Sequence, residues 1–277
     1  MSECNVTNLD AHRDVVFSHY RESPVPASLA NYFLCFWKQE IIGSGDYIHR
    51  VLPDACVDIV FINDAPPVVV GPWTDPFVAQ FPAGTTIVGA RFHPGRAPGI
   101  LGIPAAELLN QSVSLCDVWS ASCARLRIAF DEPTVVSRSA LAVALVRATA
   151  SATPPDDAIV ASIRWLARHP NATVEQLSGW IGISHRQLQR RFSAAVGYGP
   201  KMFQSVLRFQ RLLNCASRPL GRVSLADLAA VAGYADQAHM TREVQRFAGC
   251  TPRAVIPSAA CTLRMSDLFK TDHPTSN

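Results

Sequence analysis

Arginine and glutamine side chains recur in two short stretches of the chain. Arg186 and Arg190, flanked by His185 and Gln189, make one set; Arg242 and Gln245, flanked by Gln237 and His239, make the other. A guanidinium can fork onto the O6 and N7 atoms of guanine, and a glutamine carboxamide can pair with N6 and N7 of adenine. Both contacts are made from the major groove, so these residues at helical spacing point to reading of duplex DNA. Lys201, Arg208 and Arg211 lie between the sets, and Arg246 follows the second. With His185 and His239 they are candidates for the phosphate backbone, which positions a protein without specifying sequence. A solvated helix face explains Arg208 and Arg211 equally well.

Side chains can read bases only from helices held at a fixed angle. Thr173-Val-Glu-Gln176 has the form of a capping box, and Leu177 and Trp180 supply an apolar face for the helix it opens. Gly182 gives a tight turn. Ser184-His-Arg-Gln187 then opens a second helix, whose Leu188, Phe192 and Ala195 recur at i, i+4 and i+7 as a buried stripe. The pattern repeats. Ser224-Leu-Ala-Asp227 starts a helix with Leu225, Leu228 and Ala229 inward, Gly233 turns the chain, and Asp236 caps a helix that buries Met240, Val244 and Phe247. Ser184 and Asp236 stand 52 residues apart, and at that offset Leu188 matches Met240, Arg190 matches Arg242 and Phe192 matches Val244. Between the units, Pro200–Ser217 reads as a long helix with Phe203, Leu207, Phe209 and Leu213 apolar, its proline suited to the first turn. Two helix-turn-helix units on one rigid helix could occupy successive major-groove segments roughly 34 Å apart. An ordinary helical bundle would account for one capped pair but not for two in series with arginine outward.

Residues 173–256 resemble the DNA-binding domain of the AraC/XylS family of transcription regulators. The second unit carries most of the likeness: Gly233-Tyr-Ala-Asp-Gln-Ala-His-Met240, then Arg242, Phe247, Gly249 and Thr251-Pro252. The first unit matches through Leu177, Ser184, Leu188, Arg191, Phe192, Gly197 and Pro200. The resemblance implies a bacterial regulator that binds specific DNA sequences. It implies base reading by Arg186, Gln189 and Arg190 from the first recognition helix, with Gln237, Ala238 and Arg242 at the corresponding positions of the second. Two departures stand out. Val244 replaces the usual aromatic residue, which would loosen packing, and Ala238 has no hydrogen bond to donate.

Charge is distributed accordingly. The net value of +3 divides into −4 for residues 1–155, +7 for 156–257 and 0 for 258–277, and 22 of the 25 basic residues are arginine. A basic segment joined to an acidic one suits a protein with one DNA-facing part. No stretch of 18 uncharged apolar residues exists, so a membrane span is not expected. The polar amino terminus lacks the apolar core of a secretory signal. The eight cysteines are scattered without a C-x-x-C pair, which suggests idle thiols in a reducing cytoplasm.

Before Pro104 the chain reads as β-rich. Tyr32–Trp37, Ile48–Leu52, Val57–Ile62, Pro67–Gly71, Phe77–Phe81 and Thr86–Phe92 are runs of β-branched and aromatic residues, with turns at Pro53-Asp54, Asn63-Asp64 and Pro82-Ala83-Gly84. Short helices are expected at Ala105–Leu109, Cys123–Phe130 and Val135–Thr149, and a linker at Ser151–Pro155. Arg50-Val-Leu-Pro-Asp-Ala-Cys-Val-Asp-Ile-Val60, Gly71-Pro72, Gly89–Gly95 and Gly102-Ile-Pro104 resemble an uncharacterised β-domain found ahead of AraC-type domains. Analogy with other regulators makes it a sensor or dimerisation domain, with a cupin-like barrel as the expected shape. Asp54, Arg91 and His93 are the candidate effector site, Arg91 for an anionic ligand. Arg91 paired with Asp54 or Asp58 to hold the end of the barrel is an equally good reading. Only His49 and His93 lie in or beside the strands, too few for a cupin-type metal site.

The expectation is therefore an α+β chain. Residues 1–103 form a β-rich effector or dimerisation domain, 104–155 a helical connector, 156–257 an all-α double helix-turn-helix domain and 258–277 a polar tail. Its partners are double-stranded DNA, RNA polymerase, a small-molecule effector and a second copy of itself. No cofactor, metal or catalytic residue is expected. A fusion like the Ada-type DNA-repair proteins would need a four-cysteine zinc site and a Pro-Cys-His-Arg acceptor, and neither is present. A β-domain enzyme with an accessory helical part lacks any evident pairing of nucleophile and base.

Overall fold

The computed structural model describes residues 16–119, 145–147, 149–150, 152–216 and 224–259. The first of these segments is the sheet region. Strands β1 (Val16–Ser23), β2 (Phe33–Gly43), β3 (Asp46–Val51), β4 (Asp58–Ile62), β5 (Val68–Val70), β6 (Phe77–Pro82) and β7 (Thr86–Phe92) follow in order, with β8 (Ser112–Ser114) after two short helical turns, α1 (Ala97–Leu101) and a 3-10 turn at Ala105–Leu108. Six strands form an antiparallel sheet in the order β1-β2-β7-β4-β5-β8, and β3 and β6 pair as a separate ribbon. The sheet is open, with β1 and β8 at its edges, where a barrel was expected. Its core collects Phe33, Phe36, Ile59, Phe61, Val69, Ala90 and Phe92, with Phe33 and Phe92 ring to ring at 4.3 Å.

The six expected strands all form, and the sequence reading missed two. β1 reads Val-Phe-Ser-His-Tyr-Arg-Glu-Ser and has little contiguous apolar character, because it is an edge strand. It pairs with β2 from Phe36 to Gly43, Val16 opposite Gly43 and Ser23 opposite Phe36. That ladder carries β2 through the polar run Lys38-Gln39-Glu40, beyond its expected end at Trp37. The turns at Asn63 and Gly84 form, Asn63 Oδ1 accepting from Thr86 N at 2.8 Å. The expected helices Cys123–Phe130 and most of Val135–Thr149, and the tail beyond residue 259, lie outside the described residues. The linker is tied down where described: Thr153 N donates to the Gly99 carbonyl at 2.8 Å.

The helical region comprises α2 (Leu115–Val118), then α3 (Asp157–Arg168), α4 (Val174–Ile181), α5 (His185–Val196), α6 (Pro200–Ala216), α7 (Leu225–Ala232), α8 (Gln237–Ala248) and α9 (Pro252–Ala259). Helices of eight residues such as α4 and α7 do not persist alone in water. Here the shared core supplies their support, α6 burying Phe203, Val206, Leu207, Phe209, Leu212 and Leu213 in it alongside both helix pairs. Leu52 and Ala55, from the sheet region, belong to that same core.

Capping boxes form at Thr173/Gln176, Ser184/Gln187 and Ser224/Asp227, and the Asp236 carboxylate accepts from His239 N at 2.6 Å. Two expected inward residues differ. Val196, not Ala195, completes the buried stripe of α5. Trp180 is 52% exposed and stacks on Trp165 at 5.6 Å, leaving Leu177 as the anchor of α4. Val244, smaller than the aromatic expected there, is fully buried.

Among the described residues Cys35, Cys56, Cys215 and Cys250 are free thiols, whereas Cys116 is disulfide-bonded, a departure from the expectation of idle thiols. Replacing Ser184 with alanine removes the hydroxyl that accepts from Gln187 N. Denaturant unfolding should then show a loss of about 1 kcal/mol with the slope unchanged.

Candidate nucleic-acid interface

The first unit is α4, a turn at Gly182 and α5. Leu188, Phe192 and Val196 face the core, Phe192 meeting Phe203 edge-on at 5.4 Å. His185, Arg186, Gln189 and Arg190 are exposed. Neither Arg186 nor Arg190 has a hydrogen bond or ion pair among the described residues, so both guanidinium groups are available. The Gln189 carboxamide lies over Gly199, where a β-carbon would overlap it, so it must swing outward to meet a base.

The second unit repeats the geometry. Met240, Val244 and Phe247 are fully buried, Phe247 against Phe209 at 5.3 Å. Gln237, Ala238 and Arg242 are exposed on the opposite side, and Arg242 has no partner among the described residues.

The candidate backbone residues separate into two groups. Arg208 pairs with Glu243 at 3.2 Å, donates to Ser205 Oγ at 2.9 Å and lies over the Tyr234 ring. Arg211 donates to the Ala167 carbonyl at 2.6 Å, and its burial lowers its affinity for the proton. His239 approaches Glu243 at 3.7 Å and packs edge-on against Tyr234. These three are engaged inside the fold. His185, Lys201 and Arg246 are exposed.

One structural pair escaped the sequence reading. Arg191 binds Asp156 through Nε at 2.7 Å and Nη2 at 2.6 Å, tying α5 to the start of α3. Its hydrogen bond holds the Asp156 carboxyl below its ordinary range. Arg191 and Glu243 are equivalent under the 52-residue offset, as are Asp156 and Arg208. Each pair spans 35 residues, so the second unit carries the same ion pair with its charges exchanged. The offset alone could have revealed it.

In the sheet region Arg91 is buried and paired. Its Nε and Nη2 donate to the two oxygens of Asp58 at 3.0 and 2.9 Å, and Asp54 lies at 3.4 Å. Trp37 Nε1 also donates to Asp58, at 3.1 Å. Burial pushes the Asp54 carboxyl up, and the attraction of Arg91 opposes it. The structure thus builds the pairing that holds the sheet end. His93 is turned elsewhere, toward Arg96 and Arg164, with its proton affinity lowered to about 4 mainly by burial. No three His, Cys, Asp or Glu side chains among the described residues form a group that could hold a metal ion.

Comparison with known families follows this division. Residues 177–256 match the model of a helix-turn-helix domain. The carboxy-terminal part is an AraC-type helix-turn-helix domain. The chain is accordingly a DNA-binding transcription regulator. Residues 21–114 match a domain of unknown function (DUF6597). A search of curated proteins finds no match. Among solved structures, ToxT from Vibrio cholerae O395 is similar at 10% identity over 90% of this chain and 99% of that one, with a TM-score of 0.44. Unsaturated fatty acid-bound ToxT from V. cholerae strain SCE256 is similar at 10% identity over 92% and 97%, with a TM-score of 0.39. No helix among the described residues is long and apolar enough to cross a membrane.

Two outcomes follow from the sheet region. Asp58→Ala strands a buried guanidinium, so stability should fall by about 3–5 kcal/mol in denaturant unfolding. His49, like His93, is held at about 4, by burial and then by Arg91. On unfolding both return to about 6.5 and take up protons that the folded chain refuses. Their stabilisation is therefore complete above about 6.5 and declines as the pH falls toward about 4. Unfolding measured across that window should show the decline, and the double variant His49→Gln, His93→Gln should flatten it.

Proposed function

We propose that the protein binds its operator through two recognition helices, α5 and α8, set in successive major-groove segments. Arg186, Gln189 and Arg190 read bases from the first, and Gln237 and Arg242 from the second. Ala238 contributes only van der Waals contact, for example to a thymine methyl. The observation that carries this reading is the matched exposure of Arg186, Arg190 and Arg242 without intramolecular partners, on equivalent helices of a repeated unit. Nearby arginines that fold well, such as Arg191 and Arg208, are paired instead. His185, Lys201 and Arg246 contact phosphates, while Arg208, Arg211 and His239 brace the helices that do so.

Residues 1–103 form a sensing or dimerisation part, joined to the reader by a connector over residues 104–155. It responds to a small molecule, and the regulator works in the cytoplasm as a homodimer that engages RNA polymerase. It acts by binding rather than by catalysis.

Arg190→Ala should weaken specific binding by about 1–3 kcal/mol and relax preference at a single base pair. Lys201→Ala should weaken specific and random duplexes alike and flatten the salt dependence. A titrated mobility-shift series on both duplex types separates the two behaviours. Equal loss on specific and random DNA for Arg190→Ala would remove it from the base-reading set.

A further inference from the structure

The two recognition helices end at equivalent glycines. Gly197 closes α5 and Gly249 closes α8, both in the left-handed region at φ 102° and 66°. Each is met by a proline from the sheet region. A β-carbon on Gly197 would lie 2.6 Å from Pro72 Cγ and 3.2 Å from the Ala105 carbonyl oxygen. One on Gly249 would lie 3.3 Å from Pro76 Cγ and 3.5 Å from Arg50 Nη1. Pro72 and Pro76 belong to one loop, residues 71–76, which joins β5 to β6. A single short segment therefore touches the tails of both reading helices.

That loop is stiffly built. Its prolines fix two of its backbone angles. Thr74 N donates to Asn110 Oδ1 at 2.8 Å, Asn110 Nδ2 donates to Thr74 Oγ1 at 3.0 Å, and Asn110 N donates to the Pro72 carbonyl at 3.0 Å. The Trp73 ring stacks on Phe77 at 4.5 Å. Four chain steps reach at most about 14 Å, so the two prolines cannot drift apart. Beside the loop, Arg50 Nη1 donates to the Ala248 carbonyl at 2.6 Å. That oxygen is one of the last in α8, without an intrahelical partner, and a cation there also suits the helix dipole. Gln210, buried in α6, donates to the Pro53 carbonyl at 2.6 Å and fixes the connecting helix to the same region. All of these contacts fall away from the amino-terminal turns of α5 and α8, where the exposed arginines stand.

We propose that the loop 71–76, with Arg50, is a rigid spacer that grips both recognition helices by their tails and sets which separation of half-sites the protein accepts. This rests on the two-headed reading above and adds its positioning residues. Pro72, Pro76 and Arg50 touch no base and act through Gly197, Gly249 and Ala248.

The test begins with selection from a random duplex library by the full chain, which yields the half-sites and their spacing. Duplexes with that spacing changed by one or two base pairs then form a panel. The wild-type chain should lose about tenfold for a one-base-pair change, comparable with a mismatch, while loosened variants should bind the whole panel within about threefold. The loosened variants are Arg50→Ala and a chain with two glycines inserted between Trp73 and Thr74. Arg50→Lys, which can still donate to Ala248, should keep the wild-type profile. Folded variants that keep that profile, or that weaken uniformly at every spacing, would overturn the proposal. If the insertion does not fold, Arg50→Ala combined with Pro76→Ala carries the test. If the wild-type chain enriches no sequence, it is the two-headed reading that has failed. Amide hydrogen exchange without DNA still decides the clamp: faster exchange at 194–197 and 246–249 in the variants supports it, and unchanged exchange overturns it.

Discussion

The arrangement depends on one packing constraint: two pairs of short helices must share a single long helix. Neither α4 nor α7 has the length to hold itself; α7 gains its order by packing on α6, and α4 by burying Leu177 in the core it shares with α3, α5 and α6. Phe192 packs on Phe203 near one end of α6, and Phe247 packs on Phe209 farther along. The interval between those phenylalanines in α6 sets where each helix pair is rooted. Because interiors are close-packed, α6 cannot bend or slide without opening voids under both units at once. Exposed arginines are then carried on units rooted in a common helix.

The double unit was legible because its signals are local. A hydroxyl or carboxylate at each helix start, a glycine at each turn and an apolar stripe at helical spacing all lie within a dozen residues. The misreadings have physical causes. Trp180 was expected inside, but a ring that large is accommodated by lying flat on Trp165 near the surface. The strand β1 carries the alternation of an edge and too little apolar density to announce itself. The open sheet differs from the expected barrel because closure depends on how edge strands meet, which no local pattern encodes. The candidate site divides in the same way. Exposure of Arg186, Arg190 and Arg242 follows from helical period, whereas the inward turn of Arg208 depends on Glu243, which is distant in the chain.

The exchanged ion pairs show what the repeat preserves. Asp156–Arg191 in the first unit and Arg208–Glu243 in the second join the recognition helix to the helix beneath it. What is kept is an opposite-charge contact at one place, with no requirement for which side carries which sign. The exchange removes a cation from the recognition helix of the second unit and places it on α6. The second helix therefore presents less positive charge near its middle than the first.

The core of the helical region includes Leu52 and Ala55, contributed by the segment between β3 and β4. Beside them the Gln210 carboxamide donates to a carbonyl of that segment. The two halves of the chain are therefore not independent folding units in the ordinary sense. Cutting the helical part free would expose an apolar socket to water. Heating or denaturant should dismantle sheet and helices together, in one cooperative step. A lesion in the sheet, far from any base, would then be felt as a loss of the DNA reader itself.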